Sequence, residues 1–379
     1  MRKAISIILA LSLLVTGLCG LTGCGQSGGQ QAQTTQAAAA TSGQAAQATE
    51  AGQPAAQLTK ITVGSPSQLE VLGYAHWLAA EYMGYFAEEG IELVMVPQGG
   101  ADICKMMAAG EVDMALPAPA VIFPAITAGI DMVSIYQHDC TNIFGFAIPA
   151  DSDIQDWKDL EGKTMATDAG WFMFSDPILE TAGVDISTIT YVSAPDERSV
   201  LLASGACDFA FTWQKEWQLW DAQGIPLRYL DGEDVLKNSA NPVVCMTEYY
   251  EANKELIAGM GRALAKGTYF CEVNPLAAAA ITVGRWPTLG LKPEEAEPSV
   301  KALVVCSTPT TGNYGESELS RWKLALEWLS KYDMVDEDTI DLNYILRTEE
   351  FLPAYNNWDK DAVKSAAEGF DINSVNWNK

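Results

Sequence analysis

Two tryptophans, two carboxylates and one arginine fall where the chain's pattern of apolar runs places strand ends. Asp168 stands three residues before Trp171, and Glu216 three residues after Trp213. Indole faces stack planar molecules and attract cations. A carboxylate beside them holds an amino group or a protonated ring nitrogen by charge-assisted hydrogen bonds. Arg198 is the one arginine of these loops; with the hydroxyls of Ser65, Ser67 and Thr167 it would suit an anion at helix N-termini instead. It can equally pair with Asp196 or Glu197. The balance of carboxylates and indoles over arginine favours a neutral or cationic nitrogen heterocycle. Gln68, Gln98, Pro117 and Tyr136 occupy the matching loops of the first half and complete the candidate ligand-binding set. Each tryptophan has a plain alternative, which is to pack a sheet edge.

Other chemistries are poorly supplied. The chain has 379 residues, 23 Lys+Arg against 49 Asp+Glu, and two histidines. That balance argues against nucleic acid, which needs clustered basic residues, and against a polybasic membrane face. His76 and His138 cannot build a three-histidine metal site, so no metal and no cofactor is expected. His76 sits on a helix beside Trp77, where packing or a surface place suits it, and His138 begins a crossing between halves, where a buried or hinge role suits it better than ligation. No G-x-S-x-G, H-E-x-x-H or P-loop occurs, so no catalytic residue is assigned.

The elements that must position the loops alternate. Ile61–Gly64, Ile91–Val96, Met114–Leu116 and Met132–Tyr136 read as strands, with helices over Tyr74–Phe86, up to Ala109 and towards Ala128. The pattern repeats with strands at Lys163–Thr167, Ile189–Val192 and Phe209–Thr212 and helices at Phe172–Thr181 and Ser199–Ala203. Such alternation predicts βαβ units and mostly parallel sheets. Ala109-Gly110-Glu111-Val112-Asp113-Met114-Ala115 and Ser204-Gly205-Ala206-Cys207-Asp208-Phe209-Ala210 share the pattern small-Gly-x-x-Asp-x-Ala. The doubling implies two similar α/β lobes, with ligand loops at the carboxyl ends of the strands. Helical spacing then dominates, over Tyr249–Phe270, Pro275–Arg285, Glu316–Tyr332 and Asp359–Ala367. The expected boundaries are lobe 1 at 59–139, lobe 2 at 140–245, and a helical part at 246–379 returning to lobe 1.

The N-terminus carries its own signal. Arg2 and Lys3 precede an apolar run, Ala4–Leu18, too short to span a bilayer but suited to a signal peptide. Leu21-Thr22-Gly23-Cys24 resembles the lipobox of bacterial lipoproteins, which implies cleavage after Gly23 and a lipid on Cys24. Residues 24–58, rich in Gln, Ala, Thr, Gly and Ser, read as a flexible tether with an r.m.s. reach of roughly 30 Å. The expectation is an extracytoplasmic protein held at the bacterial cell membrane by a lipid anchor. The six cysteines beyond Cys24 lie at long, irregular spacings, several in apolar runs, which favours small buried side chains.

Four motifs in order resemble the solute-binding proteins of ABC transporters, in the SsuA/THI5-like branch for nitrate, alkanesulfonates and thiamine-pyrimidine precursors. They are Gly84-Tyr85-Phe86-Ala87-Glu88-Glu89-Gly90-Ile91-Glu92, Ala108–Ala115, Trp157-Lys158-Asp159-Leu160-Glu161-Gly162-Lys163-Thr164, and Ala203–Ala210 with Trp213 beyond. The resemblance covers roughly residues 58–285. It implies a type-II periplasmic-binding fold, two α/β lobes closing about a hinge with C-terminal helices, and delivery of a small-molecule ligand to a membrane permease with its ATPase. A thiamine-pyrimidine-like heterocycle leads among solutes, with nitrate or an alkanesulfonate such as taurine as alternatives. A non-transport sensor would carry the same sequence features. Enzymes of pyrimidine synthesis share the fold, but their cysteine-rich signature is absent.

Overall fold

The doubled motif starts two sheets in the same way. Gly110 and Gly205 hold φ of 73° and 69°, the left-handed backbone that ends a helix without a Cβ clash. Each following aspartate then reaches sideways to the neighbouring strand. Asp113 Oδ2 accepts the Thr62 amide at 2.7 Å, and Asp208 Oδ2 accepts the Thr164 amide at 2.7 Å. Each aspartate is thus a clamp between two parallel strands.

The computed structural model describes residues 58–97, 102–194 and 197–378. The leader 1–23, the tether with Cys24, and Gln98 lie outside the described residues apart from Leu58. Ten strands form two sheets: β1 Thr59–Ser65, β2 Ile91–Pro97, β3 Met114–Ala115, β4 Met132–Gln137, β5 Phe144–Pro149, β6 Thr164–Thr167, β7 Thr190–Ser193, β8 Phe209–Trp213, β9 Leu227–Asp231 and β10 Pro242–Met246. The first sheet has the order β2-β1-β3-β10-β4, the second β7-β6-β8-β5-β9. Both use one scheme, three parallel strands, an antiparallel returning strand, and an outer strand. The strands absent from the expected pattern, β5, β9 and β10, supply all the antiparallel pairing. The second sheet spans residues 144–231, and β10 rejoins the first, where the expectation had lobe 2 running on to residue 245.

The helices are α1 Ala75–Tyr82, α2 Tyr85–Glu88, α3 Ile103–Ala108, α4 Pro119–Thr127, α5 Phe172–Thr181, α6 Arg198–Ser204, α7 Gln214–Ala222, α8 Thr247–Ala252, α9 Lys254–Val273, α10 Pro275–Arg285, α11 Pro293–Ser307, α12 Leu319–Lys331, α13 Leu342–Ile345, α14 Thr348–Tyr355 and α15 Lys360–Glu368. One face of the first sheet packs on α1, α9, α10 and α11 around Trp77, Phe86 and Phe270. Its other face meets α3, α4 and α12 around Phe123 and Trp322. In the second lobe Phe146, Phe209 and Phe211 pack under α5, while Ala147, Ala210 and Trp220 join α6 and α7. The lobes are linked by two crossings, residues 138–143 and 232–241, which lie side by side: the Asp139 amide donates to the Asn241 carbonyl at 2.9 Å. All six cysteines described are free and buried.

Candidate functional site between the two lobes

The parallel strands of both sheets end towards the crossings, so the loops after β1, β3, β6 and β8 gather between the lobes. In the second lobe, Asp168 follows β6 and caps the next turn, its Oδ1 accepting the Gly170 amide at 3.0 Å. That turn delivers Trp171. Trp213 ends β8, and α7 starts at the next residue with Glu216 in its first turn, where the helix dipole favours a carboxylate. The two indoles lie 5.5 Å apart, tilted by 54°, and both are half-buried. A row of rings continues from them: Trp171 meets Phe211 edge-on at 5.9 Å, Phe211 stacks on Phe144 at 5.4 Å, and Phe144 touches Phe174 at 4.8 Å. At its end a cavity of ≈ 30 Å³ opens among Ala118, Pro119, Phe144, Phe174, Asn238 and Trp328, drawn from both lobes, a crossing and α12.

Arg198 is built into this surface. It is 3% exposed, at the start of α6, where the helix dipole opposes a positive charge. Glu216 compensates with both oxygens, at 3.0 and 2.9 Å from Nη2, and Nη1 donates to the Phe211 carbonyl at 3.0 Å. Its guanidinium carbon lies 4.5 Å from the Trp171 ring, 5.2 Å from Trp213 and 5.5 Å from Trp220. Glu216 therefore faces Arg198, with Thr212 Oγ1 donating to it at 2.6 Å.

The second cation of these loops is Lys215, which no spacing rule singles out. It is 5% exposed and donates to Asp139 Oδ1 at 2.8 Å, joining α7 of one lobe to the first crossing. Burial opposes its charge, but Asp139 beside it holds the lysine pKa above its ordinary value. Behind Asp139 are both histidines. His76 Nε2 lies 2.8 Å and Trp77 Nε1 3.1 Å from His138 Nδ1. Indole N–H can only donate, so His138 Nδ1 is the acceptor and His76 carries its proton on Nε2. Burial first, then Lys215 and, for His76, its partner histidine, hold both well below the ordinary imidazole value.

In the first lobe Ser65 is fully buried, its hydroxyl donating to the Ser67 carbonyl at 2.8 Å. The Tyr74 hydroxyl is 2.5 Å from Ser65 Oγ and 3.0 Å from Ser67 Oγ. Gln68 is exposed and Pro117 buried at the end of β3. Tyr136 turns into the core of the first lobe, 5.3 Å from the Tyr355 ring. The structure thus gathers Trp171, Trp213, Arg198 and Glu216 into one cluster and Ser65 and Ser67 into another around Tyr74. No cluster of three metal-ligating side chains is present among the described residues.

A family model described as NMT1/THI5 like matches residues 73–278, more than half of the chain. The chain belongs to the NMT1/THI5-like family. Solved structures share its architecture at low identity. The alkanesulfonate-binding protein SsuA of Xanthomonas axonopodis pv. citri, bound to MOPS, is 14% identical, with a TM-score of 0.60 over 79% of this chain and 100% of that one. A ligand-binding component of an ABC-type import system from Staphylococcus aureus, with zinc bound, is 11% identical, with a TM-score of 0.56 over 79% of this chain and 99% of that one. The desulfurization enzyme DSZB is 13% identical, with a TM-score of 0.53 over 78% of this chain and 99% of that one. At these identities the likeness is one of fold, and that fold carries both binders and an enzyme. No curated protein sequence matches the chain significantly. This NMT1/THI5-like protein therefore has a two-lobed α/β binding-protein fold, and none of its described helices is long and apolar enough to cross a membrane.

Proposed function

We propose that this NMT1/THI5-like protein is the extracytoplasmic solute-binding component of an ABC importer. It holds one small molecule between its lobes and hands it to a membrane permease driven by an ATPase. The lipobox-like Leu21–Cys24 supports anchoring at the cell membrane through Cys24, with residues 24–58 as tether. The solute we favour is an uncharged nitrogen heterocycle of the thiamine-pyrimidine type. One observation carries this choice: both cations of the second-lobe loops already have carboxylate partners, Arg198 with Glu216 and Lys215 with Asp139. A bound sulfonate or nitrate would have to compete with those carboxylates. An amine would find Glu216 engaged by Arg198 and Thr212 and Asp168 Oδ1 engaged by the Gly170 amide, so we favour the neutral side of the neutral-or-cationic class. The half-buried indoles of Trp171 and Trp213 then supply stacking area.

Binding without chemistry is supported by the thiols. Burial pushes Cys207 up to about 11 and Cys104, Cys245 and Cys306 up to about 12, which keeps them protonated and poorly nucleophilic. The anion reading keeps one support, the hydroxyl group of Ser65, Ser67 and Tyr74 in the first lobe. Trp213→Ala tests the site: heterocycle affinity measured by calorimetry is expected to fall at least about tenfold, as for a central aromatic contact. Undiminished affinity would remove Trp213 from the site.

A further inference from the structure

We propose that Arg198 is a specificity-determining positioning residue, which locks Trp171 and Trp213 into one surface and makes that surface refuse cationic rings. The inference rests on the reading of the interlobe cleft as a solute site and deepens it by fixing the charge class of the solute. The two ring centroids and the guanidinium carbon form a nearly equilateral triangle, with sides of 4.5, 5.2 and 5.5 Å. The wedge between the tilted indoles is therefore filled by this chain's own cation, and a solute cannot be sandwiched there. Each half-buried indole meets the solute with a remaining face or edge.

The electrostatic consequence follows from the ring quadrupole. An indole attracts a cation because both faces are negative. A guanidinium against one face already draws on that density, and its field reaches through a ring one atom thick. A second cation on the far side gains less from the ring and is repelled by Arg198. An uncharged ring loses nothing, because stacking and apolar contact do not need a free negative face. Glu216 moderates the field but lies on the guanidinium nitrogens, at 2.9–3.0 Å from Nη2. The arginine is held in three directions at once, by Glu216 of α7, the Phe211 carbonyl of β8 and the Trp220 ring. It cannot swing away to admit a competing cation without breaking its two-oxygen ion pair with the half-buried Glu216 and its bond to the Phe211 carbonyl.

The test compares two flat six-membered rings of similar size, uncharged pyrimidine and cationic 1-methylpyridinium, by ligand-observed NMR titration on the full chain. Wild type is expected to bind pyrimidine in preference to the cation. In Arg198→Met the cation-to-neutral affinity ratio is expected to rise roughly tenfold, the scale of one desolvated cation–π contact. Arg198→Lys keeps the charge and is expected to keep the wild-type ratio, which a merely structural role would not explain. Equal binding of both rings by wild type overturns the proposal, and that arm needs no variant to fold. An unchanged ratio in a folded Arg198→Met protein also overturns it. If wild type binds neither ring yet its melting temperature rises with taurine, the solute reading fails first and this inference falls with it.

Discussion

Side chains that matter most here act by pairing with each other across long stretches of sequence. Trp171 and Trp213 could be placed together beforehand, because both follow strand ends of one lobe, and they lie 5.5 Å apart. The partner of Arg198 could not. Its near neighbours Asp196, which lies outside the described residues, and Glu197 were the natural candidates from sequence, whereas the pair with Glu216 joins the start of α6 to the first turn of α7. For Tyr136, all six residues of β4 are buried, so alternation says nothing about which side faces the cleft. His138 was read as a buried or hinge residue and His76 as packing or surface; both are buried, and their contact at 2.8 Å adds a pH dependence. Both are neutral in the folded chain because burial holds them below 6.5. Unfolded chain takes up protons below that value and folded chain does not, so stability is full above it and falls as pH drops through it. Each histidine contributes a loss of about 1.4 kcal/mol per pH unit. Asp231 works the other way: burial raises it from 3.8 to about 6, so its contribution declines as pH rises between those values. Comparing wild type with His138→Gln cancels that second effect. Urea unfolding at a series of pH values is expected to show a shallower acid-side loss in the variant; equal slopes would mean the pair is not held neutral.

At the level of elements, parallel strands and their helices were readable and the crossings were not. The helices Phe172–Thr181 and Pro275–Arg285 occur over the expected residues. The helix expected over Tyr74–Phe86 breaks at Gly84, whose φ of 80° ends α1 and starts α2. Strands β5, β9 and β10 escaped because they belong to no parallel strand–helix–strand unit; each enters or leaves a crossing and pairs antiparallel. Those crossings carry Asp139, and α7 carries its partner Lys215, so the ion pair ties one lobe to the hinge. With side chains 6% and 3% exposed, removing one partner strands a buried charge. Lys215→Met is expected to lower unfolding free energy by about 3–5 kcal/mol, with Asp139→Asn recovering most of that loss in the double variant. Chemical denaturation of the two variants decides this; a double variant as unstable as the single one would show that Asp139 is not the group left stranded.

For the whole molecule, 49 acidic residues stand against 23 basic ones. Net charge excluded nucleic acid but could not choose a solute, since most carboxylates lie on solvated surfaces. Duplication was the global feature most legible in sequence: the repeated Gly and Asp produced two sheets of one strand order, each clamped at its first parallel pair. The solute was not legible, because it depends on which cleft charges remain after folding. Folding pairs Arg198 with Glu216 and Lys215 with Asp139, leaving the half-buried indoles beside the capping Asp168 in the second lobe and the Ser65, Ser67 and Tyr74 hydroxyls in the first. That arrangement is the basis for a neutral solute. It is tested most directly by thermal unfolding of the full chain with pyrimidines, sulfonates, nitrate, polyamines and flavins, because a ligand that binds only the folded state raises the midpoint. A rise with an uncharged pyrimidine and none with taurine, nitrate or polyamines is the expected result; a rise with taurine and none with any pyrimidine would contradict it.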